Sequence, residues 1–142
     1  MAKTDLNSRI LVVDDEELIR SLLTDLLTRE GHLVEAAESA SEAIRLLLKK
    51  RYSLLIADHL TPNGSGIELA HEVRGRGLRL PILVLSSQFD ATQEALILNL
   101  GLADFLPNPF SIDQVRDAVA RLLSAAENEE SDTPKPSRYV PD

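Results

Sequence analysis

Asp14 and Asp15 close one short apolar run of this chain, and Asp58 closes another further along. The first run is Arg9-Ile10-Leu11-Val12-Val13, and the second is Ser53-Leu54-Leu55-Ile56-Ala57. Both suit a strand buried on its two faces. The segments between them read as helix, strand and helix. In a parallel sheet all strand C-termini share one edge, so these three carboxylates converge there. That edge is where open α/β sheets bind ligands. Carboxylates held so close repel one another. A hard divalent cation such as Mg2+ resolves the repulsion through oxygen ligands.

The elements that must position these acids follow from periodicity and capping chemistry. Strands are expected at about 9–13, 32–37, 53–57, 81–85 and 103–106, and helices at about 17–30, 40–50, 65–74, 91–99 and 112–125. Ser39-Ala40-Ser41-Glu42 and Ser111-Ile112-Asp113-Gln114 both fit a capping box. Asp90 suits the start of the fourth helix, and Gly31 and Gly101 sit where helix C-terminal caps belong. Strict β/α alternation with short connections implies a doubly wound five-stranded parallel sheet with helices on both faces. The first helix carries Leu18, Ile19, Leu22, Leu23, Leu26 and Leu27. This stripe is wider than a core-facing helix needs. A deeply buried helix is the default; the alternative leaves one edge, Leu18 with part of Leu22, open to a partner.

Composition bounds the function classes. The chain has 142 residues, 44% hydrophobic content, a net charge of −8 and no cysteine. That suits one globular domain and removes disulfide, thiol and cysteine-metal chemistry. The acidic balance disfavours direct nucleic-acid binding. Arg74, Arg76 and Arg79 form a small basic cluster, expected in a solvated loop. The N-terminus lacks the apolar stretch of a signal peptide, and no apolar run is long enough to span a bilayer. A soluble cytoplasmic protein without membrane contact is the expectation. The folded domain is expected over 1–126. Residues 127–142 hold five acids, two bases and three prolines, and are expected to be a disordered acidic tail or linker stump.

With these motifs in view, the chain resembles the receiver domain of bacterial response regulators over about residues 8–125. The loop Asp58-His59-Leu60-Thr61-Pro62-Asn63-Gly64-Ser65-Gly66 is similar to the family's D-L-x-M-P-x-M-D-G, matching at Pro62 and Gly66 and departing at Thr61, Gly64 and Ser65. Gly101-Leu102-Ala103-Asp104-Phe105-Leu106-Pro107-Asn108-Pro109-Phe110 is similar to G-A-x-D-Y-L-x-K-P-F. The resemblance implies a flavodoxin-like (βα)5 fold with strand order 2-1-3-4-5, and a stand-alone, chemotaxis-type module of two-component signalling. It implies that Asp58 accepts a phosphoryl group from a phosphohistidine. Asp14, Asp15, Asp58 and the backbone carbonyl of Leu60 would hold Mg2+. Ser86 would donate its hydroxyl to a phosphoryl oxygen, and Phe105 would be the switch aromatic. Implied partners are a histidine kinase or histidine phosphotransfer protein, and a downstream protein target at the face of the fourth helix, fifth strand and fifth helix. A phosphorylation-linked dimer is compatible with this, and no turnover beyond self-phosphorylation and self-dephosphorylation is expected.

One departure bears on the chemistry. The family's lysine before the proline is Asn108 here. A charge-assisted hydrogen bond is worth about 1.5–3 kcal/mol against roughly 1 for a neutral one, so phosphorylation should slow about tenfold to a hundredfold. The Asn108-Pro109 bond is expected to be cis, as the family's Lys-Pro bond is. The alternative is a phosphorylation-independent pseudo-receiver acting as a protein interaction module. Other classes fit less well. An aspartate phosphatase of the haloacid dehalogenase type needs a second Asp where Leu60 stands, and a dinucleotide loop needs glycine where Leu69 stands. His32, His59 and His71 share no metal-ligand spacing and are expected to be structural or solvent-facing.

Overall fold

The computed structural model describes residues 8–58, 60–61, 64–86, 90–107 and 109–132. Five strands form one parallel sheet: β1 (Arg9–Val13), β2 (Leu33–Ala37), β3 (Leu54–Asp58), β4 (Ile82–Ser86) and β5 (Ala103–Pro107), in the order β2-β1-β3-β4-β5. Five helices alternate with them: α1 (Glu17–Arg29), α2 (Ala40–Lys49), α3 (Gly66–Gly75), α4 (Ala91–Leu98) and α5 (Ile112–Asp132). The fold is the doubly wound, flavodoxin-like arrangement the alternation implied. A two-residue hairpin, Leu60–Thr61 with Gly64–Ser65, follows β3 and was not anticipated.

Between their polar ends Arg9, Asp58 and Ser86, the central strands are apolar at every position because both faces are covered. Ile10, Val12, Leu54, Ile56, Leu83 and Leu85 pack on one face against α1 and α5. Leu11, Val13, Leu55, Ala57, Ile82 and Val84 pack on the other against α2, α3 and α4. Burial of so many Leu, Ile and Val side chains, each worth about 1.5–3 kcal/mol, dominates the stability of the sheet.

Most helix ends form as their chemistry dictates. Asp90 with Gln93 and Ser111 with Gln114 make reciprocal capping boxes, and Ser65 with Glu68 makes a third. Ser39 caps α2 through the Glu42 N–H, but the Glu42 carboxylate accepts from the N–H of Glu38 rather than Ser39, so only half of the expected box is present. Gly31 and Gly101 end their helices with φ of +97° and +74°, a region only glycine adopts cheaply.

Three expectations are corrected. The last helix does not stop at 125 but runs to Asp132, so at least Glu127–Asp132 are helical rather than a disordered tail. Ala125, Ala126, Glu127, Glu129 and Glu130 are strong helix formers, and the first proline beyond them is Pro134. Acidic composition reports solvation, not backbone state. Within α1, Leu23 and Leu27 are buried, but Leu18 is 77% and Leu22 47% exposed, so the helix is not deeply buried all round. The open edge falls where the width of the stripe placed it.

The third correction concerns Arg74, which is not in a solvated loop. It sits on the last turns of α3, partly buried, and all five of its N–H groups find carbonyls. Nε donates to Leu100, Nη1 to Leu78 and Leu80, and Nη2 to Gly101 and Leu102, at 2.6–3.3 Å. The guanidinium thereby ties the α3–β4 connection to the α4–β5 connection, where Leu102 holds φ +53°. Arg76, by contrast, makes an exposed i,i+4 pair with Glu72.

Arg74→Ala should lower stability by about 2 kcal/mol in urea unfolding, and Arg74→Lys should recover less than half, because an ammonium cannot span the carbonyls. Arg76→Ala should cost under about 0.5 kcal/mol. Equal losses for Arg74→Ala and Arg76→Ala would show that the clamp contributes nothing.

Candidate functional site

Register places the acids. Val13 lies opposite Ala57, and Ala57 opposite Val84. One residue further toward the C-terminal edge, Asp14 comes level with Asp58, and Asp58 pairs with Leu85. One step beyond that row stand Asp15 and Ser86. Asp14, Asp15 and Asp58 each offer a carboxylate oxygen, and these oxygens lie within 4.8 Å of one another. The three residues differ in setting: Asp14 is only 3% exposed, Asp58 is intermediate and Asp15 is exposed.

The backbone around Asp14 is fixed from three sides. Its N–H donates to the carbonyl of Ala37 at 3.2 Å, continuing the β1–β2 ladder past the strand end. Its Oδ1 accepts from the Glu16 N–H at 2.8 Å, turning the chain into α1. Its carbonyl accepts from Arg20 Nη1 at 2.7 Å, and Arg20 Nη2 lies 3.9 Å from Glu38. Arg20 thus braces the β1–α1 turn against the β2–α2 turn. Sequence reasoning missed it, although its place on the first turn after the Asp pair was a usable signal. Burial pushes the Asp14 carboxyl above its ordinary range, with Asp15 and Glu16 adding to the rise; the Glu16 N–H and Arg20 oppose it.

Ser86 is buried, 4% exposed, at the end of β4, beside the acidic row. Phe105 is partly buried and packs against the α2, α3 and α4 face of the core. Its N–H donates to Asp104 Oδ1 at 2.8 Å, and Asp104 Oδ2 accepts from Arg121 at 2.6 Å, which fastens β5 to α5. Leu60 lies in the hairpin opposite Ser65, directly after the acidic strand end. Asn108, its bond to Pro109, and His59, Pro62 and Asn63 fall outside the described residues. His71 is exposed and His32 intermediate, and neither belongs to the acidic cluster.

The donor set fits a hard cation. It consists of carboxylate oxygens alone, the donors such an ion takes, and Asp14 is buried among them. Asp14, Asp15 and Asp58 are the residues that would hold such an ion.

A doubly wound sheet with an acidic cluster at its C-terminal edge defines a ligand-binding α/β module, and comparison specifies which. Residues 10–120 match the family model of the response regulator receiver domain, and the chain belongs to that family. It is 33% identical over 123 residues to the response regulator MprA of Mycobacterium tuberculosis, covering 87% of this chain and 54% of that protein. The chain thus spans about half the length of the curated relatives it matches. Among solved structures it is similar to the non-phosphorylated HemR receiver domain of Leptospira biflexa, with a TM-score of 0.77 and 31% identity over 83% of this chain and 95% of that one. It is also similar to the chemotaxis protein CheY4 of Vibrio cholerae, with a TM-score of 0.75 and 26% identity over 81% and 98% of the two chains. The family match and these relatives make this chain a receiver domain of the response-regulator kind. Among the described residues no helix is long and apolar enough to cross a membrane.

The raised Asp14 carboxyl has a consequence for stability. The folded chain holds that proton more tightly than the unfolded chain, so Asp14's own contribution to stability is greatest below the unfolded value of 3.8 and is lost as pH rises through the raised one. Asp14→Asn keeps the acceptor for the Glu16 N–H and removes the buried charge. It should therefore stabilise the metal-free protein at neutral pH, by on the order of 1 kcal/mol, and flatten the pH dependence of the thermal midpoint. A lower midpoint for Asp14→Asn at pH 7 without metal would contradict this origin of the shift.

Proposed function

We propose that Asp58 is the phosphoacceptor and that the chain relays a signal by protein contact. The observation that carries this is the meeting of Asp14, Asp15 and Asp58 within 4.8 Å at the C-terminal sheet edge of a receiver domain. The phosphoryl donor is a phosphohistidine on a histidine kinase or histidine phosphotransfer protein. Its P–N bond breaks as a P–O bond forms to an Asp58 oxygen, and the imidazole takes up a proton. Mg2+, when bound, neutralises charge on the transferring phosphoryl group. Asp14 and Asp15 would hold that ion together with Asp58 and the carbonyl of Leu60. The Ser86 hydroxyl donates to a phosphoryl oxygen, and Phe105 carries the change to the face of α4, β5 and α5, where a downstream protein binds. The exposed Leu18 and Leu22 edge of α1 follows directly after the acidic turn and suits the donor protein. Nothing in this chemistry requires turnover of a separate substrate.

Asn108 favours a second function, a phosphorylation-independent pseudo-receiver. Without the family's lysine charge, transfer is slower and its coupling to the switch weaker. The nucleophile and the acidic pair remain, so we hold phosphotransfer to be weakened rather than lost.

Acetyl phosphate with Mg2+ should add one phosphoryl group by intact mass, and Asp58→Asn should abolish it. Asn108→Lys should raise the labelling rate about tenfold or more. Asn108→Ala should change it little. No labelling of either the parent protein or Asn108→Lys supports the pseudo-receiver, and label surviving Asp58→Asn refutes the assignment.

A further inference from the structure

The sheet edge opposite the acidic pocket has its own chemistry. A groove of about 820 Å3 opens there, walled by the end of α2 and start of β3, the α3–β4 connection, and the last turns of α5. Leu80, Leu123 and Ala126 give it an apolar lining, and Leu48 stands on its rim 57% exposed. The rim is basic in a chain whose net charge is −8. On the helix surfaces arginines face carboxylates: Arg29 faces Asp25, Arg45 Glu42, Arg76 Glu72 and Arg116 Asp113. Lys49 and Arg51 are exposed on the rim and, among the described residues, form no ion pair.

Beside this rim stands its electrostatic complement. α5 passes the groove at Ala126 and Glu127 and continues to Asp132. At 1.5 Å per residue the helix projects roughly 8 Å further. Those last six positions, Glu127-Asn128-Glu129-Glu130-Ser131-Asp132, carry four acids. The basic groove and the acidic helix end therefore lie side by side on one face. A two-fold axis through such a face brings each groove onto the partner's helix end, so complementarity is satisfied twice.

We propose that this edge is a self-association surface. The acidic end of α5 from one copy seats against Lys49 and Arg51 of a second copy, and reciprocally, over the apolar floor marked by Leu48. Surface ion pairs contribute little each and are screened by salt, so the dimer is weak and salt-sensitive. It uses neither Asp58 nor α4 and β5, engages α5 only at its C-terminal end, and is independent of the phosphoacceptor assignment.

Sedimentation velocity at low salt, over a hundredfold concentration range up to about 1 mM, a span that brackets weak association, tests it. The weight-average mass should rise from 15.6 kDa toward twice that value, and fall back on adding salt. Lys49→Glu with Arg51→Glu should abolish the rise, as should Glu129→Lys with Glu130→Lys. An equimolar mixture of the two double variants should restore it, since each groove then meets a helix end of opposite charge. Asp58→Asn should associate like the parent. Circular dichroism melts establish that each variant is folded. A parent protein that stays monomeric throughout, as it would if α5 served only its own groove, overturns the proposal. So does association that survives Lys49→Glu with Arg51→Glu, or double variants that fail to associate when mixed.

Discussion

Parallel strands can be joined only by crossovers, and here each crossover carries a helix back over a face of the sheet. All five strands therefore start at one edge and end at the other, and the two edges can be given different chemistry. The register makes the ending edge specific. Because Val13, Ala57 and Val84 share a row, the residues just beyond them share the next one. A slip of one residue in β1 or β3 would turn every apolar side chain to the wrong face and separate Asp14 from Asp58 at the same time. Fold and site are thus specified by the same hydrogen bonds.

The acidic cluster works against folding, and the core supplies the surplus that tolerates it. Asp14 is buried beside another carboxylate, which raises its proton affinity rather than stabilising its anion. Such a group persists where the surrounding structure over-determines it. The apolar residues of β1 and β3, Ile10–Val13 and Leu54–Ala57, are only 0–1% exposed, and the turn after β1 is braced by Arg20. A cation held among these carboxylates would relieve their repulsion.

Arginine does structural work in this chain that its charge alone does not suggest. Arg20 and Arg74 both spend N–H groups on backbone carbonyls at connections between elements. The planar fork reaches several carbonyls at once, which a lysine cannot do. A different cluster forms where the α2–β3 connection passes the side chain of Glu35 on β2. Tyr52 donates to Glu35 at 2.6 Å, with Lys50 at 3.0 Å. That hydrogen bond holds Glu35 below the usual carboxylate range, while burial pushes the Tyr52 hydroxyl up. These contacts join segments far apart in sequence, which is why no local pattern announced them.

Sequence periodicity determined the five strands and five helices and the convergence of Asp14, Asp15 and Asp58, because apolar runs ending in acids constrain a parallel sheet strongly; the sheet order followed from the family resemblance. Capping residues placed most helix starts to within a residue, since those hydrogen bonds are local. What the sequence left undecided depended on three-dimensional neighbours. The partial burial of Arg74 required the α4–β5 connection beside it, and the exposure of Leu18 and Leu22 required the limits of the sheet beneath α1. The length of α5 was misread because its acidic composition reports affinity for water, whereas helix continuation is set by backbone propensity and the absence of proline. The basic groove at the opposite edge was invisible for a further reason. Its walls come from separate segments, and only the packing of α2, α3 and α5 around the strand starts brings Leu80 and Leu123 beside Lys49 and Arg51.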